Sequence, residues 1–308
     1  MNKLITLIFF LSSTNIFAQT ELINNFNKHI TTLASTEYGG RKPHTKGDTL
    51  SVNYITDQLS KIDGIQLLGS GGLQIVKEKK EEITFNVVAR IDAPKEMNPD
   101  GKSIVIGAHY DHLGAAKNGA GQDIFKVGAD DNASGVAFVI EYARYISTMR
   151  DNLKRDVIFI LFGAEEYGLV GSRYYATHPL HKLKKSVAMV NFDMTGRMRN
   201  KGITIRGLGS SDEAPVMFAS LQNKDKLNMI WEFEPAGPTD YASFYKAGIP
   251  AFSFSTRMHS DYHTERDTPD KINYTGMEML FRYAKELVDN LIFTGTNLTY
   301  QQTAEPIK

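Results

Sequence analysis

The run FILFGAEEYGLVGS, residues 159–172, carries an apolar stretch straight into two adjacent carboxylates, Glu165 and Glu166. The apolar, β-branched part begins at Val157 and ends at Phe162. An unbroken run of that length suits a strand covered on both faces. A helix is expected to start near Tyr167, so the carboxylates fall between strand and helix. Adjacent side chains cannot point the same way. One carboxylate can therefore bind a metal while its neighbour faces a reacting water, the division of labour that hydrolysis by a metal-activated water needs. An isolated Glu-Glu pair reads first as an acidic helix N-terminus, where carboxylates complement the helix dipole. The rest of the chain supplies partners that change the reading.

Similar runs recur on both sides. Residues 103–108 (SIVIGA), 187–192 (VAMVNF) and 251–255 (AFSFS) read as buried strands, and 203–206 and 229–233 as further extended segments. Residues 65–76 and 83–91 read as β-rich, with the charge run 77–82 as a solvated turn between them. Helical spacing marks residues 21–33, 47–62, 133–149, 214–222, 241–246 and 277–293. Residues 113–128 read as a long loop. Strands alternating with helices imply an α/β fold: one domain with a mainly parallel twisted sheet and helices on both faces.

Composition sets the outer limits. The chain has 308 residues, 42% hydrophobic and 23% charged, which is ordinary for a globular protein. Lys plus Arg equals Asp plus Glu at 35 each, which disfavours nucleic acid as a partner. Residues 1–18 read as a secretory signal peptide, with Lys3, an apolar core over residues 4–11 and cleavage expected after Ala18. That core is too short to span a bilayer. The expected organisation is a signal peptide (1–18), one α/β domain (19–295) and a frayed polar tail (296–308). The expected location is periplasmic or secreted, with no stable membrane insertion after cleavage. With no cysteine, such a chain cannot use disulfides and depends on its core and on any bound metal.

Polar groups collect where strands end. His109 and Asp111 follow SIVIGA, Asp130 and Asp131 lie in GADDNASG, Glu165 and Glu166 follow Phe162, Asp193 follows VAMVNF, and His263 lies in DYHTERDTPDKI after AFSFS. Ligands of open α/β sheets bind beyond the carboxyl ends of the strands. One convergent site is therefore expected.

Taken together, LASTEYGGR (33–41), GAHYDHLG (107–114), GADDNASG (128–135), FGAEEYGLVGS (162–172), NFDMTGR (191–197), KAGIPAFSF (246–254) and YHTERDTPDKI (262–272) resemble, in order, the co-catalytic di-zinc exopeptidases of metallopeptidase family twenty-eight. The resemblance covers nearly all of the chain after residue 18. It implies a zinc-exopeptidase, phosphorylase/hydrolase-like fold. It implies that His109 and Asp193 bind one zinc, Glu166 and His263 the other, and that Asp131 bridges both. Asp131 is preferred to Asp130 because the family's bridging aspartate stands three residues after the first glycine of its motif, here Gly128, and four before the last, Gly135. The bond from Asp131 to Asn132 is then expected to be cis. Asp111 is expected to take the second N–H of the His109 imidazole. Glu165 is expected to act as the base toward water, and Tyr262 to hydrogen-bond the developing oxyanion. His112, Asp130, Asp240 and His259 are read as turn or supporting residues.

Imidazole and carboxylate without thiolate suit zinc, with cobalt or manganese as substitutes. The activity implied is an aminopeptidase acting on peptide substrates. A zinc-dependent glutaminyl cyclase, or a carboxypeptidase or dipeptidase of the same family, is the alternative. A binding ectodomain that has lost its ligands is disfavoured, because every expected ligand is present.

Overall fold

A computed structural model describes residues 19–302. The expected signal peptide, residues 1–18, and the last part of the tail, residues 303–308, lie outside the described residues. The first half of the chain runs α1 (19–33), α2 (Lys46–Ser60), β1 (Ile65–Leu67), β2 (Leu73–Glu78), β3 (Glu81–Ile91), β4 (Ser103–His109), β5 (Gly114–Lys117), β6 (Asp123–Lys126) and α3 (Gly135–Thr148). The second half runs β7 (Asp156–Phe162), α4 (Val170–Thr177), β8 (Ser186–Phe192), β9 (Gly202–Arg206), α5 (Ala214–Ser220), β10 (Asn228–Glu232), α6 (Tyr241–Lys246), β11 (Ala251–Ser255) and α7 (Tyr274–Asp289).

Nine strands make one sheet in the order β1-β3-β7-β4-β8-β11-β9-β10, with β2 also on β3. The central strands β7, β4, β8 and β11 are all parallel, as the buried runs imply. Toward the edges β1, β2 and β3 pair antiparallel, as does β9 with β11. Period-two alternation splits each central strand between two cores. Ile104, Ile106, Phe159, Leu161 and Phe192 pack with Phe26, Ile55, Phe138 and Leu280 of α1, α2, α3 and α7. Val105, Ile158, Ile160, Phe162 and Met189 pack on the other side with Tyr175 of α4 and Tyr241 and Phe244 of α6. Both faces are therefore covered, and the polar residues inside these strands are few and paired, Asn191 Nδ2 donating to Ser253 Oγ at 3.3 Å.

The register makes them end together. His109 stands opposite Phe162, Gly107 opposite Asn191, and Phe192 opposite Phe254. The loops that follow these four strands are thus delivered to one edge of the sheet.

Three local expectations change. The segment 113–128 contains the hairpin β5–β6, whose short strands alternate with solvent and carry too few apolar residues to show a period. The charge run 77–82 is mostly strand, with only Lys79 and Lys80, both at positive φ, forming the turn. The tail is not frayed over residues 296–302. Thr299 donates from its backbone N to Glu213 at 2.9 Å, Gln301 N reaches Ser210 O at 2.9 Å, and Tyr300 packs on the Tyr245 ring.

One buried cation ties the amino-terminal segment to the site edge. The Arg41 guanidinium is fully buried and donates to the backbone carbonyls of Tyr110 (2.6 Å), Leu33 (2.9 Å), Val127 (2.5 Å), Gly128 (2.8 Å) and Asp131 (3.4 Å). Burial pulls its pKa down to about 10, opposed by Asp131 and Asp111 nearby, so it stays charged at neutral pH. The planar fork fits these acceptors as a lysine ammonium cannot. Arg41→Leu strands several buried carbonyls and should cost more than about 3 kcal/mol. Arg41→Lys should recover only part of that. Scanning calorimetry checks this, and a wild-type melting curve for Arg41→Leu would contradict it.

Candidate metal centre

Each site residue sits where a strand runs out. His109 is the last residue of β4, and Tyr110 N continues the ladder to Phe162 O at 2.9 Å. After β7 the chain turns at Ala164 (φ 57), Gly168 (φ 93) and Leu169 (φ 60) before α4 begins at Val170. Glu165 and Glu166 therefore lie in a tight turn, a few residues ahead of the helix start expected near Tyr167. Asp111 fixes that turn: its two carboxylate oxygens accept the backbone N–H of Glu165 (2.9 Å) and Glu166 (3.3 Å). The expected contact to His109 is correspondingly different. His109 Nδ1 lies 3.2 Å from the backbone carbonyl of Asp111 and 3.7 Å from its carboxylate.

Asp131 is carried across the strand ends by an irregular helical turn, Ala129–Ser134, and its bond to Asn132 is cis, as expected. Asn132 staples the turn to β8: its Nδ2 donates to Phe192 O at 3.0 Å, and its Oδ1 accepts Gly135 N (2.9 Å) and Met194 N (3.2 Å). Gly135 must be glycine, since a Cβ there would lie 2.3 Å from Phe192 O. At Gly128 (φ 57) a Cβ would strike Asp131 O at 1.9 Å and the His112 ring at 2.6 Å. Asp267 accepts from Asp131 N at 3.0 Å. Asp193 follows β8 and donates its N to Phe254 O at 3.1 Å. His263 stands in a loop anchored by Asp261, which pairs with Arg197 (2.8 Å), Arg266 (3.0 Å) and Lys271 (3.0 Å).

The side chains form two groups around Asp131. Its Oδ1 is 3.3 Å from His109 Nε2, which is also 3.6 Å from Asp193 Oδ1 and 4.0 Å from Glu165 Oε2. Its Oδ2 is 3.1 Å from His263 Nε2, which is also 3.0 Å from Glu166 Oε2. Two donors of one tetrahedral ion, each about 2.1 Å from it, stand about 3.4 Å apart. The contacts of the first group, 3.3, 3.6 and 4.0 Å, bracket that spacing, and those of the second, 3.0 and 3.1 Å, lie just under it. In the second group they are not aligned as hydrogen bonds: Asp131 Oδ2, Glu166 Oε1 and His263 Nε2 are buried with no hydrogen-bond partner among the described residues. Buried polar atoms are rarely left so. Donors aimed at a common point rather than at one another fit a divalent cation.

The electrostatics separate the two neighbouring glutamates. Burial pushes Glu165 well above the usual carboxylate range, against His109 and with help from Asp240, Asp193 and Asp111. Burial alone would raise Glu166 too, but His112 and His263 beside it hold it below the usual range. Environments that push paired groups apart are how acid–base and ligand roles become distinct. Burial opposes ionisation of Asp131, yet His112, His109 and His263 hold its pKa well down. Burial raises Asp193, partly offset by His109. Tyr262 stacks on His263, ring centroids 3.7 Å apart, and burial followed by the surrounding carboxylates raises its hydroxyl pKa.

The remaining candidates divide clearly. Asp130 turns away from the groups, accepting Gly196 N at 2.5 Å and pairing with His259 at 3.1 Å, so Asp131 is the better choice of the pair. Asp240 is fully buried, both oxygens lack a hydrogen-bond partner among the described residues, and burial raises its pKa to about 7. His112, expected as a turn or supporting residue, lies inside the second group, its Nδ1 2.7 Å from Glu166 Oε1 and 3.6 Å from Asp131 Oδ2. The second histidine of GAHYDHLG, three residues after His109 at a strand exit, was the available signal.

The strand ends of this α/β sheet gather histidines and carboxylates into two largely buried groups whose donor atoms suit metal ions. The chain belongs to Peptidase family M28, whose family model matches residues 86–288. It is 28% identical over 212 residues to Aminopeptidase YwaD of Bacillus subtilis, covering 64% of this chain and 42% of that protein. Among solved structures it resembles the LapA aminopeptidase of Legionella pneumophila, with TM-score 0.72, 23% identity and coverage of 90% of this chain and 74% of that one. It also resembles a glutaminyl cyclase of Bacteroides thetaiotaomicron, with TM-score 0.67, 17% identity and coverage of 87% and 97%. At those identities the likeness is one of fold. The chain spans about half the length of the first curated relatives it matches.

Removing metal should therefore be felt by the whole domain, because an ion bound only by the native state stabilises it by mass action. Dialysis against a chelator should lower the melting temperature by several degrees, and zinc should restore it. The stripped protein should also lose stability as pH rises from 5 to 9. Asp240, raised to about 7, and His263, raised to about 9, both bind more protons folded than unfolded in that window. An unchanged melting curve on chelation would contradict the first expectation, and a stripped protein that gains stability with rising pH the second.

Proposed function

We propose that this chain is a metal-dependent aminopeptidase that removes N-terminal residues from peptides. The observation that carries the proposal is the Asp131 carboxylate, with Oδ1 3.3 Å from His109 Nε2 and Oδ2 3.1 Å from His263 Nε2. One carboxylate reaching two histidines through different oxygens suits a bridge between two ions. His109, Asp131 and Asp193 would hold one, and Asp131, Glu166 and His263 the other, with zinc the expected metal. When bound, the ions would supply Lewis acidity, polarising the scissile carbonyl and making water more acidic.

The chain's own residues account for the rest. Glu165, 4.0 Å from His109 Nε2, is the member of its group farthest from that nitrogen, and burial pushes its carboxyl well above the usual range. It is suited to take a proton from water and return it to the leaving amine. Asp111 holds the backbone of both glutamates, so the base and its neighbour keep their separate directions. Tyr262, stacked on His263, is placed to donate to the oxyanion that forms on the attacked carbonyl. The names of the relatives support an exopeptidase acting at the amino end. Export through the signal peptide of residues 1–18 completes the proposal, and amino-terminal sequencing of the mature protein tests it.

A panel of amino-acid anilides and their N-acetylated forms tests the activity. Free-amine substrates should be cleaved, blocked ones should not, and chelation should abolish turnover until zinc is returned. Cyclisation of glutaminyl peptides without hydrolysis would mean the cyclase instead.

Glu165→Gln should leave metal content unchanged while turnover falls by roughly 10²–10⁴-fold, the usual contribution of a positioned acid–base group. Glu166→Gln should lose metal as well as activity. The reverse pattern in elemental analysis would show that the two carboxylates have been assigned the wrong way round.

A further inference from the structure

The geometry points to His112 as a metal ligand, a fourth protein donor at the position shared by Asp131, Glu166 and His263. This rests on the metal reading above and goes beyond its three-donor set. His112 is fully buried, and neither ring nitrogen has a hydrogen-bond partner among the described residues. A neutral imidazole carries one donor and one acceptor, and burying both idle is costly. Its Nδ1 lies 2.7 Å from Glu166 Oε1 and 3.6 Å from Asp131 Oδ2, yet it is not aligned as a hydrogen-bond donor to either.

The same is true of its neighbours. His112 Nδ1, Asp131 Oδ2, Glu166 Oε1 and His263 Nε2 are all buried without a hydrogen-bond partner, one idle atom from each of four side chains. These four residues each offer a ligand atom within 4.8 Å of the others. The His112 and His263 rings meet edge to face, with centroids 5.6 Å apart and planes at 66°. Two imidazoles placed side by side with converging nitrogens can share one ion. The local backbone enforces it, because His112 packs against Gly128, where any Cβ would strike the ring at 2.6 Å.

Two histidines and two carboxylates supply four protein donors, enough to close a tetrahedral zinc site. The group at His109 and Asp193 has no second histidine. The two positions would therefore be unequal: one enclosed by protein donors, the other left with room for water and substrate. The competing role for His112 is to hold Glu166 by a hydrogen bond without touching the ion.

Cobalt-substituted protein separates the two roles. Wild type should show a strongly hyperfine-shifted imidazole N–H for each of His109, His112 and His263, and His112→Gln should show one fewer. The variant should bind zinc at one of the two positions more than about 100-fold more weakly, beyond the usual effect of losing an orienting hydrogen bond. Glutamine keeps an N–H for Glu166 but offers no imidazole. The same number of shifted imidazole signals in variant and wild type, or a zinc affinity within about tenfold of wild type, would overturn the inference while leaving the metallopeptidase reading intact. Where the loss of affinity falls between those limits, the signal decides. If wild type binds no divalent ion at all, both fail. Should His112→Gln not fold, crystals of the zinc-loaded wild-type protein decide: an Nδ1-to-ion distance of about 2.0–2.1 Å supports ligation, and one beyond about 3 Å refutes it.

Discussion

A carboxylate buried between histidines is the constraint on which the site depends. Asp131 is nearly inaccessible, and taking an ionised carboxylate out of water is costly unless charge or hydrogen bonds replace the water. The fold supplies both. His112, His109 and His263 surround the side chain, while its backbone is held by Asp267 at the N–H and Arg41 at the carbonyl. Those two anchors lie far apart in sequence and come from opposite ends of the chain. Asn132 then fastens the same turn to the end of β8. The carboxylate can face both groups only because every neighbouring backbone group is already engaged.

The sheet makes this possible by ending four strands in one row. Parallel pairing of β7, β4, β8 and β11 puts Phe162, His109, Phe192 and Phe254 at nearly the same level. At or past that level come His109, Asp193 and, after Gly163 and Ala164 beyond β7, Glu165 and Glu166, while His263 arrives from the loop after β11. Glu165 and Glu166 show how finely the transition is set. They are adjacent, so they diverge, and a turn with positive φ at Ala164 and Gly168 fixes the divergence. Burial then raises one pKa while two imidazoles lower the other.

The features legible in the sequence were those with a physical period or a strong local chemistry. Ser103–His109 and Ser186–Phe192 are buried at every position, and unbroken apolar runs announce such strands. Gly128 and Gly135 frame Asp131 because the backbone there has no space for a side chain, and the choice over Asp130 rested on the family resemblance, which counts the aspartate from those glycines. The β5–β6 hairpin was not legible, since four-residue strands with half their positions in solvent resemble a loop. Residues 296–302 are polar yet docked, through long-range bonds to Ser210 and Glu213 that no local pattern encodes. The contacts that His112 and Asp111 make at the site were not legible for a related reason. The motif brought both residues to the site, but only the three-dimensional turn decides that Asp111 serves the glutamate backbone and His112 faces Glu166.

Sharing of Asp131 between two ions is the claim that binds fold, electrostatics and activity together. Anomalous diffraction at the zinc edge, on crystals of the zinc-loaded protein, tests it most directly. The account predicts two peaks about 3.5–4 Å apart, one on each side of the Asp131 carboxylate, the first beside His109 and Asp193 and the second beside Glu166 and His263. A single peak, or two peaks that do not share Asp131, would contradict it.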